Sequence, residues 1–569
     1  MPRQFLRRIR KRIKGTYRDI DPEDIFIDSA NLPGFDTERF QGRIERPVGG
    51  RTFFAFKITL VVFAVLLVGK LANLEIMKGT VYAQVSENNR LDHTLIFANR
   101  GLIIDRKGVE LASNGVRNTD SDFASRIYPP LEGLASVVGY AKYPSKDSSG
   151  HYYDTSFHGL AGVEKVYDAA LQGTNGLNIT ETDARGGLIS ENVLQKPIDG
   201  KPLALSLDAG VTQALYKAIK SAANERGFTG GAGVIMDVNT GEILAMTSYP
   251  DYDQNVMADG SNKTEITRLL TSSSTPLLNR AVNGLYTPGS IVKPVMAIAA
   301  QDVGVIDPLT KILSTGSISV PNPYDPSHPS VFKDWRPQGW MTMRDALAVS
   351  SDVYFYEVGG GFGSQKGIGI DNIDKYFSLF GMTTKTGIDL PGEVSGTIAS
   401  IDWKAKNFPN DPWRLGDTYH TAIGQYGTQV TPVEAVRWVS AVANGGKLLV
   451  PSVLLGGKPL PERISSVVDV PQSEFEVVRE GMRQGVVSGI TGALNIPGAE
   501  VAAKSGTAEL GVSKARVNSW ITGFWPFNNP RYAFALILEK GPVTNLVGAA
   551  SVMRQVLDYI QTNAPEYLK

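Results

Sequence analysis

The chain has 569 residues, 42% of them hydrophobic and 20% charged, an ordinary globular balance in a chain long enough for more than one domain. Its 57 basic and 57 acidic side chains cancel, so no global field argues for a nucleic-acid partner. There is no cysteine, which excludes disulfides, thiolate metal sites and a cysteine nucleophile.

The first eighteen residues carry Arg3, Arg7, Arg8, Arg10, Lys11, Arg12, Lys14 and Arg18 and no acid before Asp19. Phe53 to Val68 is then almost wholly apolar, broken only by Lys57 and Thr59, and extending it to Ala72 gives about the twenty residues a bilayer span needs. Basic residues ahead of a span place the N-terminus inside and the remainder outside, and the long polar lead argues for an uncleaved anchor. Residues 1–51 are therefore expected to be a cytoplasmic tail and 52–72 a transmembrane helix.

Residues 73–200 are mixed in pattern, with short β-like runs at Thr94 to Phe97 and Gly101 to Ile104. Tyr143 to Thr155, rich in Ser, Asp, Gly and Tyr, reads as an exposed loop. Three of the five histidines, His93, His151 and His158, fall in this region without ligand spacing, and no metal is assigned.

From Pro202 the elements lengthen. Val211 to Asn224 has the period of an amphipathic helix, and Ala232 to Asp237 with Glu242 to Met246 flank Asn239-Thr240-Gly241 as a hairpin. Ser519 to Trp525 and Tyr532 to Leu538 form a second strand pair, followed by a helical run from Val552 to Ile560. Strands at both ends with helices between predict an α/β layer fold over residues 201–569, one antiparallel sheet backed by helices.

The chemistry centres on Thr287-Pro288-Gly289-Ser290-Ile291-Val292-Lys293, a Pro-Gly turn entering an apolar helix. Lys293, three residues after Ser290, shares its helix face. A serine hydroxyl needs a neighbouring base, and a lysine desolvated among small apolar residues can be that base. Ser330-Val331-Phe332-Lys333 has the same spacing but follows a proline-rich loop (Pro321, Pro323, Pro326, Pro329) and is not followed by a buried helix. Ser350-Ser351-Asp352 ends the helical run Met343 to Val349, and taken alone it is a helix terminus. Val501 to Thr507, with small alternating residues, suggests a strand with room for another backbone beside it, where Lys504 and Thr507 could bind a carboxylate. Lys385-Thr386-Gly387 is a second Lys-Thr-Gly, in a turn-rich stretch less suited to an open edge.

S-x-x-K, S-x-D and K-S-G in this order resemble the motifs of penicillin-binding proteins. The chain is similar to a class B penicillin-binding protein of the penicillin-binding protein 2 group. Arg100 to Gly108 and Gly159 to Tyr167 match the non-catalytic pedestal, expected as a mixed α+β domain over 73–200. Asn279-Arg280-Ala281, Asp334-Trp335, Thr386 to Glu393, Gly424-Gln425 and Ala443 to Gly446 match the transpeptidase domain with its helical subdomain. The Thr386 to Glu393 match makes Lys385-Thr386-Gly387 a separate landmark and leaves Lys504 as the motif lysine.

The resemblance implies a peptidoglycan D,D-transpeptidase of the bacterial inner membrane, inhibited by β-lactams and needing no cofactor. Ser290 would attack the penultimate D-alanine carbonyl of a stem peptide and Lys293 would take its proton. Ser350 would relay protons, Asp352 would hold Lys293, and Lys504, Ser505, Gly506 and Thr507 would bind the terminal carboxylate and the oxyanion. Asp352, where many relatives carry asparagine, is similar to the elongation-type group. Ser505 replaces the usual threonine, and Ala112 to Arg126 is far shorter than in most such relatives. No polymerase domain fits in the pedestal, so the family implies a SEDS glycosyltransferase partner of the RodA or FtsW type. The alternatives are a division-type transpeptidase or a β-lactam-sensing receptor.

Overall fold

The computed structural model describes residues 50–82, 91–116, 121–182, 188–322, 325–457 and 460–569. The basic tail to residue 49, Pro323 and residues 117–120 of the shortened Ala112–Arg126 interval lie outside the described residues. Helix α1, Gly50–Ala72, runs on through a π-helical turn at Asn73–Met77, and along these 28 residues the apolar stretch is unburied. A helix of that length extends about 42 Å, against roughly 30 Å of bilayer hydrocarbon.

Residues 93–180 and 188–569 form a second compact unit. Its pedestal portion contains a small sheet in the order Leu203–Ala204, Ile103–Ile104, Glu110–Asn114, Arg126–Ile127. A buried charge cluster ties that sheet to the helix Gly162–Val166: Glu164 accepts from Arg100 Nε at 2.6 Å, Arg126 Nε at 2.8 Å and the Tyr128 hydroxyl at 3.1 Å. Arg100 also reaches Asp168 at 2.6 Å. The stretch Tyr143 to Thr155 departs from its reading as an open loop. Ser145–Lys146 pairs with Tyr152–Asp154, and the Tyr152 and Tyr143 rings pack edge-on against Phe97 (4.9 Å) and Phe123 (5.7 Å). Strands of two or three residues are too short to display a period, and the polar composition concealed two tyrosines that fill an aromatic cluster.

The C-terminal portion starts with helix α2, Ala209–Arg226, N-capped by the Asp208 carboxylate and stopped by Gly227 in the left-handed region. The hairpin β1, Gly230–Asp237, and β2, Ile243–Tyr249, follows. Next come α3 (Lys293–Asp302), α4 (Met343–Val349), α5 (Asp352–Gly360), α6 (Leu415–Ala422), α7 (Pro432–Asn444) and α8 (Gln472–Val487). The chain returns as β3 (Ala502–Leu510), β4 (Arg516–Trp525) and β5 (Tyr532–Pro542), and closes with α9 (Ala549–Asn563). The five strands form one antiparallel sheet in the order β2-β1-β5-β4-β3, so the two ends of the domain meet at β1 and β5.

Strand alternation divides the core between the two faces of the sheet. Ile235, Leu244, Phe534, Leu536 and Leu538 pack with Val211, Leu215 and Ile219 of α2 and with Val552, Val556 and Ile560 of α9. Ala232, Val234, Ala533 and Ala535 face the opposite way, against α7, where their small size lets Trp438 and Val439 approach closely. The strand β3 is left at the sheet edge.

The two portions of the unit are joined through Asp389. It accepts from the Tyr167 hydroxyl at 2.6 Å, the Ser452 hydroxyl at 2.8 Å and the Val453 amide at 2.8 Å. In the same segment Glu393 accepts from the Thr386 amide, the Thr386 hydroxyl and the Gly387 amide. Lys385-Thr386-Gly387 is therefore a closed turn with an exposed lysine, unlike the open strand that carries Lys504.

Glu164→Ala would leave the Arg100 and Arg126 guanidinium groups, whose side chains are 0% exposed, without their shared anion. Removing one member of a buried pair costs about 3–5 kcal/mol. A thermal melt of the purified protein should show a lowered transition, and an unchanged melt would contradict the structural role given to this cluster.

Candidate active site

Gly289–Val292 forms a 3₁₀ turn that carries Ser290, and α3 begins with Lys293 and Pro294 immediately after it. Proline suits the first turn of a helix because its missing N–H would have had no intrahelical partner. Residues Lys293 to Ala300 are all buried, so the lysine ammonium must find its partners within the protein. Lys293 Nζ lies 2.7 Å from Asp352 Oδ1, 2.9 Å from the Ser350 carbonyl oxygen and 3.4 Å from Ser350 Oγ, with the Phe355 ring 5.4 Å away. Among the described residues no hydrogen bond joins it to Ser290 Oγ.

Ser350 is the C-cap of α4 with a left-handed backbone (φ 58°), a conformation that costs a non-glycine residue on the order of 1 kcal/mol or more. That conformation reverses the chain so that Asp352 opens α5 with its carboxylate at the positive end of a helix. From β3, Lys504 Nζ donates to Ser350 Oγ at 2.6 Å and to the Ser505 carbonyl at 2.9 Å. The two lysines thus meet on one serine. Burial, reinforced by the positive charge of Lys293 and only partly countered by Asp352, pushes the Lys504 amine well below the ordinary lysine range. Two buried amines with one carboxylate between them form a site short of negative charge, suited to an anionic ligand group.

Three glycines bring the Ser290 turn against the strand. A Cβ on Gly289 would come within 2.6 Å of the Thr507 carbonyl oxygen, one on Gly506 within 2.7 Å of the Pro288 oxygen, and one on Gly424 within 2.3 Å of the Gly289 oxygen. The junction is closed by Gly289 N–H donating to the Gly424 carbonyl at 2.8 Å and Gln425 Nε2 donating to the Thr507 carbonyl at 3.2 Å. Ser290 and Thr507 are thereby held side by side at the sheet edge. Ser505 is half-buried and Thr507 exposed, both facing the opening.

Supports outside these motifs were not read as functional from the sequence. Arg280 Nε donates to Glu539 Oε2 at 3.0 Å, and the Tyr286 hydroxyl donates to Glu539 Oε1. With Trp520 Nε1 donating to the Thr287 carbonyl at 3.0 Å, they fix the loop that delivers Ser290. Asp334 accepts from the Ser351 hydroxyl at 2.6 Å, the Ser314 hydroxyl at 3.1 Å and the Val353 amide at 3.2 Å, so it pins the turn between Ser350 and Asp352. Asn279-Arg280-Ala281, Asp334-Trp335 and Gly424-Gln425 were legible only as landmarks of the resemblance, because nothing local ties them to Ser290. Ser330, by contrast, is exposed on a two-stranded sheet, Ser317–Val320 with Ser330–Lys333, apart from this cluster.

Residues 231–558 match the penicillin binding protein transpeptidase domain, and residues 121–205 match the penicillin-binding protein dimerisation domain. The chain belongs to the penicillin-binding protein transpeptidase family. The peptidoglycan D,D-transpeptidase MrdA of Escherichia coli K12 is 29% identical over 87% of this chain and 91% of its own length. Among solved structures, Pseudomonas aeruginosa PBP2 in complex with WCK 5153 is 30% identical, with a TM-score of 0.67 over 83% of this chain and 98% of that one. PBP2 of Helicobacter pylori, solved as a complex with MreC, is 25% identical, with a TM-score of 0.68 over 84% and 99%. The transpeptidase match spans the Ser290 turn, the Ser350 cap and the Lys504 strand, and the dimerisation match covers much of the pedestal.

Asp334→Ala in this transpeptidase removes the acceptor of two buried hydroxyls and two amides, those of Val353 and Trp335. Each unsatisfied buried group costs about 1–3 kcal/mol, so the Ser350 turn should loosen. Labelling by a fluorescent penicillin is expected to slow at least about tenfold, with Asp334→Asn intermediate. Equal labelling rates for all three proteins would remove Asp334 from the support of the site.

Proposed function

We propose that this transpeptidase crosslinks peptidoglycan stem peptides through an acyl-enzyme on Ser290, within the machinery of cell elongation and shape maintenance. The observation that supports the reading most directly is the meeting of Lys293 and Lys504 on Ser350 beside the Ser290 turn. The terminal carboxylate of the donor peptide binds Lys504, Ser505 and Thr507, and the peptide lies along the edge of β3 past Gly506, pairing as an added strand.

The arriving carboxylate favours the charged form of Lys504, which takes a proton through Ser350 Oγ from Lys293. Lys293 is then the base that receives the Ser290 proton as Oγ attacks the penultimate D-alanine carbonyl. The backbone N–H groups of Ser290 and Thr507 stabilise the oxyanion, each contributing about 3 kcal/mol. Ser350 passes the proton to the departing D-alanine amine, and Asp352 keeps Lys293 oriented. A β-lactam carries a strained amide and a carboxylate and enters by the same contacts.

By the same reading residues 1–51 are cytoplasmic, 52–72 cross the inner membrane, 73–200 form the pedestal and 201–569 carry the chemistry outside. The apolar helix α1 and the basic residues before it support this topology. Strand polymerisation is left to a SEDS glycosyltransferase of the RodA type. The elongation role is supported by the similarity to PBP2 chains and by aspartate at position 352.

Fluorescent penicillin should give one covalent adduct, mapped to the peptide containing Ser290, with Ser330 unlabelled. Lys293→Ala should abolish labelling. Lys504→Ala should slow it by about 10- to 150-fold, the equivalent of a charge-assisted hydrogen bond of about 1.5–3 kcal/mol. Lys385→Ala should leave it nearly intact. Labelling that survives Ser290→Ala would overturn the catalytic assignment. For the topology, protease added outside spheroplasts should remove the C-terminal domain and spare an N-terminal tag, and a protected C-terminal domain would reverse the orientation.

A further inference from the structure

The antiparallel pairing of β1 with β5 puts the β1–β2 and β4–β5 turns at one end of the sheet, and the chemistry described above makes no use of that end. The two turns bring Asn239 and Asn529 beside the C-terminal end of α7 and the start of α8, and together these segments enclose a cavity of about 260 Å³. None of its lining residues belongs to the Ser290, Ser350 or Lys504 motifs. Its charged lining residues are Lys447 and Arg479, with no carboxylate among them, and its side-chain amides are Asn239, Asn444, Gln472 and Asn529.

Arg479 is held there as a fixed donor. Its guanidinium carbon lies 5.7 Å from the Phe524 ring and 5.8 Å from the Phe527 ring, and Nη2 donates to the Phe527 carbonyl at 2.8 Å. Nε is buried without a partner, and among the described residues no ion pair reaches this side chain. Burial disfavours its charge, offset only in part by Glu476, one turn earlier on α8. A guanidinium so placed gains most from an oxyanion, which its planar fork matches. The acceptors nearby are largely taken up within the protein. Asn444 Nδ2 donates to the Val238 and Lys447 carbonyls, both at 3.0 Å, Asn444 Oδ1 accepts from the Lys447 amide at 2.8 Å, and Gln472 Nε2 donates to the Gly445 carbonyl at 3.0 Å. What remains for a ligand is the two cations, together with Gln472 Oε1 and the Asn529 amide, which can pair with hydroxyl groups. The volume is just below the roughly 300 Å³ at which pockets for drug-sized ligands begin, so the occupant is small.

We propose that this cavity binds a small hydroxylated anion, a sugar carboxylate or a sugar phosphate, with the anionic group on Arg479 and Lys447 and the hydroxyls on Gln472 and Asn529. It shares no residue with the catalytic cleft and stands whether or not Ser290 is the acylated residue.

The test titrates full-length detergent-solubilised protein calorimetrically, at fixed ionic strength, with glucuronate, glucose 6-phosphate, glucose and inorganic phosphate. At least one of the two sugar anions should bind, and at least about tenfold more tightly than glucose or inorganic phosphate. The tighter of the two identifies the anionic group as carboxylate or phosphate. Arg479→Gln should weaken that binding about 10- to 150-fold, and Lys447→Gln, a change at an exposed position, about two- to fivefold. Penicillin labelling of both variants, expected to match the unmodified protein, separates loss of the ligand from loss of the fold. If Arg479→Gln fails to label, the Lys447→Gln affinity decides. Absence of binding by either sugar anion would overturn the proposal. So would glucose or inorganic phosphate that binds as tightly, or an affinity left unaltered by every variant that keeps its labelling.

Discussion

Everything around the catalytic cleft answers to one electrostatic constraint: two buried lysine amines converge on a single serine with one carboxylate to balance them. Such an arrangement cannot exist in isolation, since a buried charge without partners is expelled or neutralised. Asp352 therefore stands at a helix N-terminus, Ser350 reverses the chain in a left-handed conformation, and Asp334 holds that reversal from a loop remote in sequence from Ser290. With Lys293 paired to Asp352 and burial disfavouring the charge on Lys504, a negatively charged partner would favour the charged form of Lys504.

The sheet explains how residues from distant parts of the chain hold this geometry. The Ser290 turn comes from the middle of the chain and the Lys504 strand from near its end. The Arg280–Glu539 pair, 259 positions apart, links the loop before Ser290 to β5, two strands inward from the edge that carries Lys504. Because β5 lies beside β1, strain at the edge strand is resisted by hydrogen bonds reaching both termini of the domain. The rigidity that positions Ser290 is a property of the whole sheet.

How much of this was legible in the sequence follows from how local each signal is. The Ser290–Lys293 helix, the Ser350 terminus, the two hairpins and the edge strand all have short-range periodicity or cap chemistry, and each falls where those signals place it. The open strand was told from the closed Lys385-Thr386-Gly387 turn by its small alternating residues and by the landmark beside the decoy. The contacts of Asp334, Arg280 and Glu539 were hidden because partners tens to hundreds of residues apart leave no pattern in a window of sequence. The pedestal hairpin at Ser145–Lys146 and Tyr152–Asp154 was missed for the opposite reason, being too short to show any period.

The junction of Gly289, Gly424 and Gly506 has a bearing on how this molecule can change under selection. At each of these positions even a methyl group would collide with backbone of a neighbouring element, at 2.3–2.7 Å, and that backbone belongs to the Ser290 turn or the strand beside it. A side chain is thus barred at these three positions. The rim differs, with Glu509 and Val512 exposed to solvent. Tolerated change in this part of the chain is bounded by three residues that have no side chain to alter.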